Sequence, residues 1–147
     1  MIKIDIVKRE NFTGDLPTYA TSGSSGFDFR AMVNESVIVH SGERVLIPTG
    51  LSFAIPEGYE LQVRPRSGLA LKNGITLVNS PGTIDSDYRG EVSIILINHS
   101  QDSFVIEHGM RIAQGIIMKV EKADWVLKDS LSDSNRGAGG FGSTGHD

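Results

Sequence analysis

Between Asn79 and Val92 the chain reads N-S-P-G-T-I-D-S-D-Y-R-G-E-V. Two carboxylates, Asp85 and Asp87, stand beside the aromatic Tyr88, after a Pro81-Gly82 turn signal and before Gly90. A carboxylate held rigidly can take a proton from a water or hydroxyl, so general-base chemistry is open to this stretch. A second candidate is the run R-G-A-G-G-F-G-S-T-G-H-D from Arg136 to Asp147. Its glycines let backbone N–H groups approach an anion, Ser143 and Thr144 add hydroxyl donors, and Arg136 adds charge. That combination suits phosphate. No G-K-[ST] follows, so it is not a Walker A loop and a P-loop nucleotidase is disfavoured. Each stretch also has a plainer reading, a solvated acidic turn for the first and an unstructured terminus for the second. The 4 histidines show no paired metal-ligand spacing and read as solvated loop residues.

Strands must position these groups. Ile75–Val78 and Val92–Ile97 are β-branched and apolar, which predicts a hairpin with the acidic stretch at its tip. Up to about residue 120 the pattern repeats. Short apolar runs such as Val37–Val39, Val45–Ile47, Leu51–Ile55, Leu61–Val63, Phe104–Ile106 and Ile112–Val120 alternate with Gly, Pro and Asn turn signals. That spacing predicts an all-β sandwich or barrel. One helix is predicted, Ser67–Lys72, capped by Ser67 and closed by Asn73-Gly74.

A chain of 147 residues, 39% hydrophobic and 22% charged, is enough for one domain with a core. After Trp125 the composition turns polar (Lys128–Asn135), then glycine-rich, so a domain over 1–127 and an arm over 128–147 are expected. The start, Met1–Val7, alternates like a strand and does not read as a signal peptide. No apolar run approaches the roughly 20 residues a bilayer requires. With a net charge of −4 there is no general attraction for nucleic acid. The absence of cysteine leans toward a cytoplasmic, intracellular setting.

Five stretches, in this order, resemble the five motifs of the homotrimeric dUTPases. They are S-G-F-D-F-R-A (Ser25–Ala31), P-R-S-G-L-A (Pro65–Ala70), G-T-I-D-S-D-Y-R-G (Gly82–Gly90), G-M-R-I-A-Q (Gly109–Gln114) and the glycine-rich tail. The resemblance spans about residues 25–145. Three positions depart from the family's habit: Ser25 for alanine, Phe29 for leucine, and Gly115 for a larger apolar residue.

The resemblance implies a distorted jelly-roll-like (β-clip) barrel with one short helix and a flexible glycine-rich arm. It implies a homotrimer whose sites lie between subunits, with the strand around Trp125–Leu127 exchanged. The implied reaction is hydrolysis of dUTP to dUMP and pyrophosphate, which limits uracil incorporation into DNA and supplies dUMP for dTMP synthesis. Asp85 would be the base activating a water for in-line attack on the α-phosphorus, and Tyr88 would lie against the deoxyribose and exclude a 2′-hydroxyl. Asn79, with the backbone at Thr83 and Ile84, would read the uracil edge. Arg66, Ser67, Gly68 and Gln114 would hold phosphates or the attacking water. From the arm, Phe141 would cover the base, while Arg136, Gly142, Ser143 and Thr144 would enclose the phosphate end. Mg²⁺ would ride on the triphosphate, with no direct protein ligand, and Asp28 would organise its water shell and a neighbouring arginine, unless its role is purely structural.

Three rival readings stand beside this one. A dCTP deaminase of the same superfamily would carry a glutamate base on the following strand, where this chain has Ile95. A nucleotide-sensing binding protein would be expected to have lost Asp85 or the tail. A purely structural β-sandwich leaves the five stretches unexplained.

Overall fold

Alternation decides which residues face inward. In Ser93–Asn98, Ile94, Leu96 and Asn98 are buried and their neighbours are not. In Phe27–Arg30, Phe27 and Phe29 are buried while Asp28 and Arg30 reach outward. That period of two is the signature of strands with one face on a core. The structure is a computed structural model that describes residues 2–140. In chain order its elements are β1 (Asp5–Lys8), β2 (Phe27–Arg30), β3 (Val37–Val39), β4 (Arg44–Pro48), β5 (Leu51–Ala54), β6 (Tyr59–Arg64), α1 (Ser67–Asn73), β7 (Ile75–Leu77), β8 (Gly82–Ile84), β9 (Ser93–Asn98), β10 (Phe104–Ile106) and β11 (Arg111–Lys119).

All pairings are antiparallel. A four-stranded sheet runs β2-β11-β6-β8, a three-stranded sheet β4-β9-β7, and two-stranded pairs join β1 to β5 and β10 to β3. The fold is all-β with one short helix, as expected, but among the described residues the sheets do not close into a single barrel. Their inner faces share one core, in which Phe29, Leu61, Ile94, Leu96, Ile106 and Ile112 are almost wholly buried.

Two expectations are corrected. Strands β7 and β9 do pair, with Leu77 opposite Leu96, but the stretch between them is not a simple tip. Its first half leaves the hairpin as β8 and joins the edge of β6, in the other sheet. A short, alternating Gly82-Thr83-Ile84 was too brief to separate from turn signals by sequence alone. Second, α1 ends as predicted, on Gly74 at φ +65, but Ser67 does not cap it. Arg66 is the N-cap and makes no side-chain capping bond, so Ser67 is already inside the first turn.

The departures at Phe29 and Gly115 answer one another. A Cβ on Gly115 would lie 2.6 Å from Phe27 Cζ and 2.8 Å from Phe29 Cε2. The bare glycine lets two rings pack edge to face at 5.3 Å. Gly115→Val is therefore expected to cost about 1–3 kcal/mol by overpacking, read as a lower Tm. Adding Phe29→Leu should recover part of that loss, a coupling that a double-mutant cycle measures.

Candidate active site

Asp28, Gln114 and Arg64 lie in one row across β2, β11 and β6. The row continues into Arg66, just past the end of β6. Arg66 Nε donates to Asp28 Oδ1 at 2.8 Å, and Arg111 approaches Asp28 Oδ2 at 3.5 Å. Both arginines and the aspartate are partly exposed, so the pairing orients the guanidinium more than it stabilises the fold. Gln114 Nε2 donates to the Pro65 carbonyl at 2.9 Å, tying β11 to the segment that carries Arg66 and Ser67. Gly26 permits this, since a Cβ there would sit 2.8 Å from Gln114 Oε1. Arg64 is occupied by Gln62 Oε1, at 3.1 and 2.6 Å from Nε and Nη2, and is a structural charge. Ser67 and Gly68 are exposed in the first turn of α1, where backbone N–H groups have no intrahelical acceptor. One end of the sheet thus gathers Asp28, Arg66, Ser67, Gly68 and Gln114 into a cationic, donor-rich ledge.

Asp85, Tyr88, Thr83 and Ile84 are gathered elsewhere. They line a shallow cleft of about 340 Å³ with Leu46, Glu91, Ser93 and Ile95. A cleft of that size, apolar with a few polar groups, is of the kind that holds a small ligand. A turn holds the acid, with Tyr88 N donating to Asp85 O at 3.2 Å. The Tyr88 hydroxyl donates to Glu91 O at 3.1 Å, and its ring covers Gly90, where any Cβ would collide with the phenol. Asp87 is an exposed turn residue, and Arg89 Nη1 donates to the carbonyls of Ser86 and Tyr88 at 2.7 and 2.9 Å. Asn79 is exposed at the mouth of the excursion, its amide nitrogen close over Gly82, and it does not line the cleft. The sequence reading missed Leu46 and Ile95 as cleft walls. Both are large apolar residues on strand faces that alternate away from the core, a partial signal that marks a wall only once the two strands pair.

Register measures how far apart the two groups are. Ile84 pairs with Leu61, which sets Asp85 opposite Glu60, and Arg66 is six residues further along β6 and its extension. At about 3.3 Å per residue, Asp85 and Arg66 of one chain are roughly 20 Å apart. A base must come within about 3 Å of the proton it removes, so the acid and the ledge of one chain do not meet on one scissile bond.

Arg136 is exposed, with Nε donating to Gly139 O at 2.8 Å, a contact within its own turn. Phe141, Gly142, Ser143 and Thr144 lie outside the described residues. Among the described residues no three His, Cys, Asp or Glu side chains converge. Asp28 is the one carboxylate among these ledge residues, and its Oδ2 is only loosely held by Arg111. That donor set fits contact with a water of a hydrated Mg²⁺ rather than direct ligation. No helix of the described residues is long and apolar enough to cross a membrane.

The profile described as dUTPase matches residues 13–145. Deoxyuridine 5'-triphosphate nucleotidohydrolase of Rickettsia bellii (strain OSU 85-389) is 54% identical over 143 residues, covering 97% of this chain and 95% of that protein. The fold superposes on Staphylococcus bacteriophage 80alpha dUTPase, solved with dUPNHPP, with a TM-score of 0.87 and 25% identity over 99% of each chain. A dUTPase mutant from phage phi11 of S. aureus, described with a structural Mg(II) ion, shares the fold at a TM-score of 0.78 and 19% identity, over 90% of this chain and 100% of that one.

Proposed function

The chain belongs to the dUTPase family, and from that premise we propose that it hydrolyses dUTP to dUMP and pyrophosphate, in sites that separate copies of the chain complete together. What carries the composite site is the separation along β6. The acid-bearing cleft and the donor-rich ledge are each well formed, yet roughly 20 Å apart within one chain. A cleft from one copy set against a ledge from another removes that gap. The exposure of Trp125 and Leu127, 90% and 97%, supports the same view. A second copy that covers the indole and the leucine would remove that apolar surface from water. A trimer is the smallest closed ring in which cleft, ledge and arm each come from a different chain.

In this reading Asp85 orients and deprotonates the water that attacks the α-phosphorus. Thr83 and Ile84 offer backbone groups to the uracil edge, with Asn79 at the mouth, and Tyr88 fills the space that a 2′-hydroxyl would need. Arg66, held by Asp28, clamps phosphate oxygens with a planar fork, and Ser67, Gly68 and Gln114 add neutral donors. Mg²⁺ bound to the triphosphate supplies charge neutralisation, with Asp28 placed to accept from one of its waters. Residues 128–147 form the arm, with Arg136, Phe141, Gly142, Ser143 and Thr144 closing the site and excluding water once substrate is bound. A cytoplasmic setting accompanies this reading, as does a role in keeping uracil out of DNA and providing dUMP for dTMP synthesis.

The deciding measurement is pyrophosphate release from dUTP, dCTP, dTTP and UTP with Mg²⁺, beside the mass of the assembly. Fast release from dUTP alone, by a particle of three chains, is expected. Ammonia from dCTP would reassign the chain to deamination, and a monomer with full activity would overturn the composite site.

A further inference from the structure

The stretch that carries Tyr88 is fastened on its return side to two other pieces of chain, residues 49–51 and Arg9. Thr49 N and Oγ1 both donate to Val92 O, at 3.2 and 2.6 Å, and Val92 N donates to Leu51 O at 2.8 Å. Gly50 N donates to the Glu91 carboxylate at 2.7 Å. Arg9, the residue after β1, completes the set. Its N donates to Gly50 O at 2.8 Å, its Nε to Ser52 Oγ at 3.0 Å, and its Nη2 to Arg89 O at 3.3 Å. The anchor itself is rigid: Thr49, Gly50 and Ser52 are buried, and Gly50 sits at φ +67 with Phe12 packed where a side chain would go.

Tyr88 stands within these attachments. Arg89 follows it and is held by Arg9, while Glu91 receives the phenol hydroxyl on its carbonyl and holds Gly50 with its side chain. The acid-bearing side of the stretch has a different support, the pairing of β8 with β6. Asp85 and the Tyr88 side chain therefore draw their main supports from different parts of the fold, with the backbone bond from Tyr88 N to Asp85 O as the link between them.

We propose that Glu91 and Arg9 are positioning residues for Tyr88, and that they set the discrimination between deoxyribose and ribose more strongly than they set the base at Asp85. The proposal rests on the reading that Tyr88 faces the sugar of dUTP. Steric rejection of one hydroxyl requires a wall fixed to within about half an ångström. A ring free to retreat by more than that leaves room for the extra oxygen. Glutamine at 91 keeps an amide oxygen for the Gly50 N–H; alanine does not.

The test is kcat/KM for dUTP and for UTP in the full chain, wild type beside Glu91→Ala, Glu91→Gln and Arg9→Ala. The dUTP/UTP ratio should fall by about tenfold or more in both alanine variants, mainly because UTP improves relative to dUTP, and be retained in Glu91→Gln. A merely structural loss lowers both substrates together and leaves the ratio where it was, and that result overturns the proposal. If Glu91→Ala does not fold, Arg9→Ala decides alone. A wild-type enzyme that turns over dUTP and UTP alike would instead defeat the reading of Tyr88 on which the proposal stands.

Discussion

Asp85→Asn is expected to lower dUTP turnover by roughly 10²- to 10⁴-fold, the range over which a positioned base contributes, while nucleotide binding changes little. The amide keeps the shape of the side chain and one acceptor oxygen, so the turn closed by Tyr88 N on Asp85 O, a backbone contact, should persist. What is lost is a group able to accept the water's proton. Single-turnover pyrophosphate release gives the rate, and calorimetry with a non-hydrolysable dUTP analogue gives the affinity. A variant that releases pyrophosphate undiminished would remove Asp85 from the mechanism. A variant that no longer binds would mean the carboxylate is needed to hold the cleft together, and the distinction between base and scaffold would have to be redrawn.

Asp85 was legible because a carboxylate between Pro81-Gly82 and Gly90, flanked by β-branched runs, is a local pattern. So were the strands, whose alternation is a nearest-neighbour property; β3, β4, β6, β10 and β11 fall where apolar runs predicted them. The helix end at Gly74 was legible for the same reason, since Asn73-Gly74 closes a helix locally. What sequence did not reveal depends on partners far along the chain. Strand β8 exists because β6 has an edge to offer, a pairing between residues about twenty apart. Ser67 failed as a cap because the chain leaves β6 with Arg66 already extended, drawn toward Asp28 across the sheet. Leu46 and Ile95 become cleft walls only once β4 and β9 pair with the two residues opposite each other. The grip of Arg9 on Arg89 spans 80 positions and leaves no trace in either neighbourhood. Gly115 is the instructive intermediate. It looks like a weakened strand when read alone, and like a fitted one once Phe27 and Phe29 are seen above it.

Two inactive variants should restore one another, and this is the sharpest expectation of a site shared between chains. Take Asp85→Asn, which lacks the base, and Arg66→Ala, which lacks the phosphate clamp and leaves Asp28 without its 2.8 Å partner. Each alone should fall to a small fraction of wild-type activity. Co-expressed and purified through a different tag on each, the mixed assemblies contain sites whose cleft comes from the Arg66→Ala chain and whose ledge comes from the Asp85→Asn chain. Such sites have every group intact. Every trimer that carries both tags holds one site in three of this kind, so about a third of wild-type activity is expected. If each chain held its own complete site, every site in every mixture would lack either the base or the clamp, and the mixture would stay at the residual level of its parts. The first outcome follows from the β6–β8 register, which holds Asp85 and Arg66 of one chain about six strand residues apart.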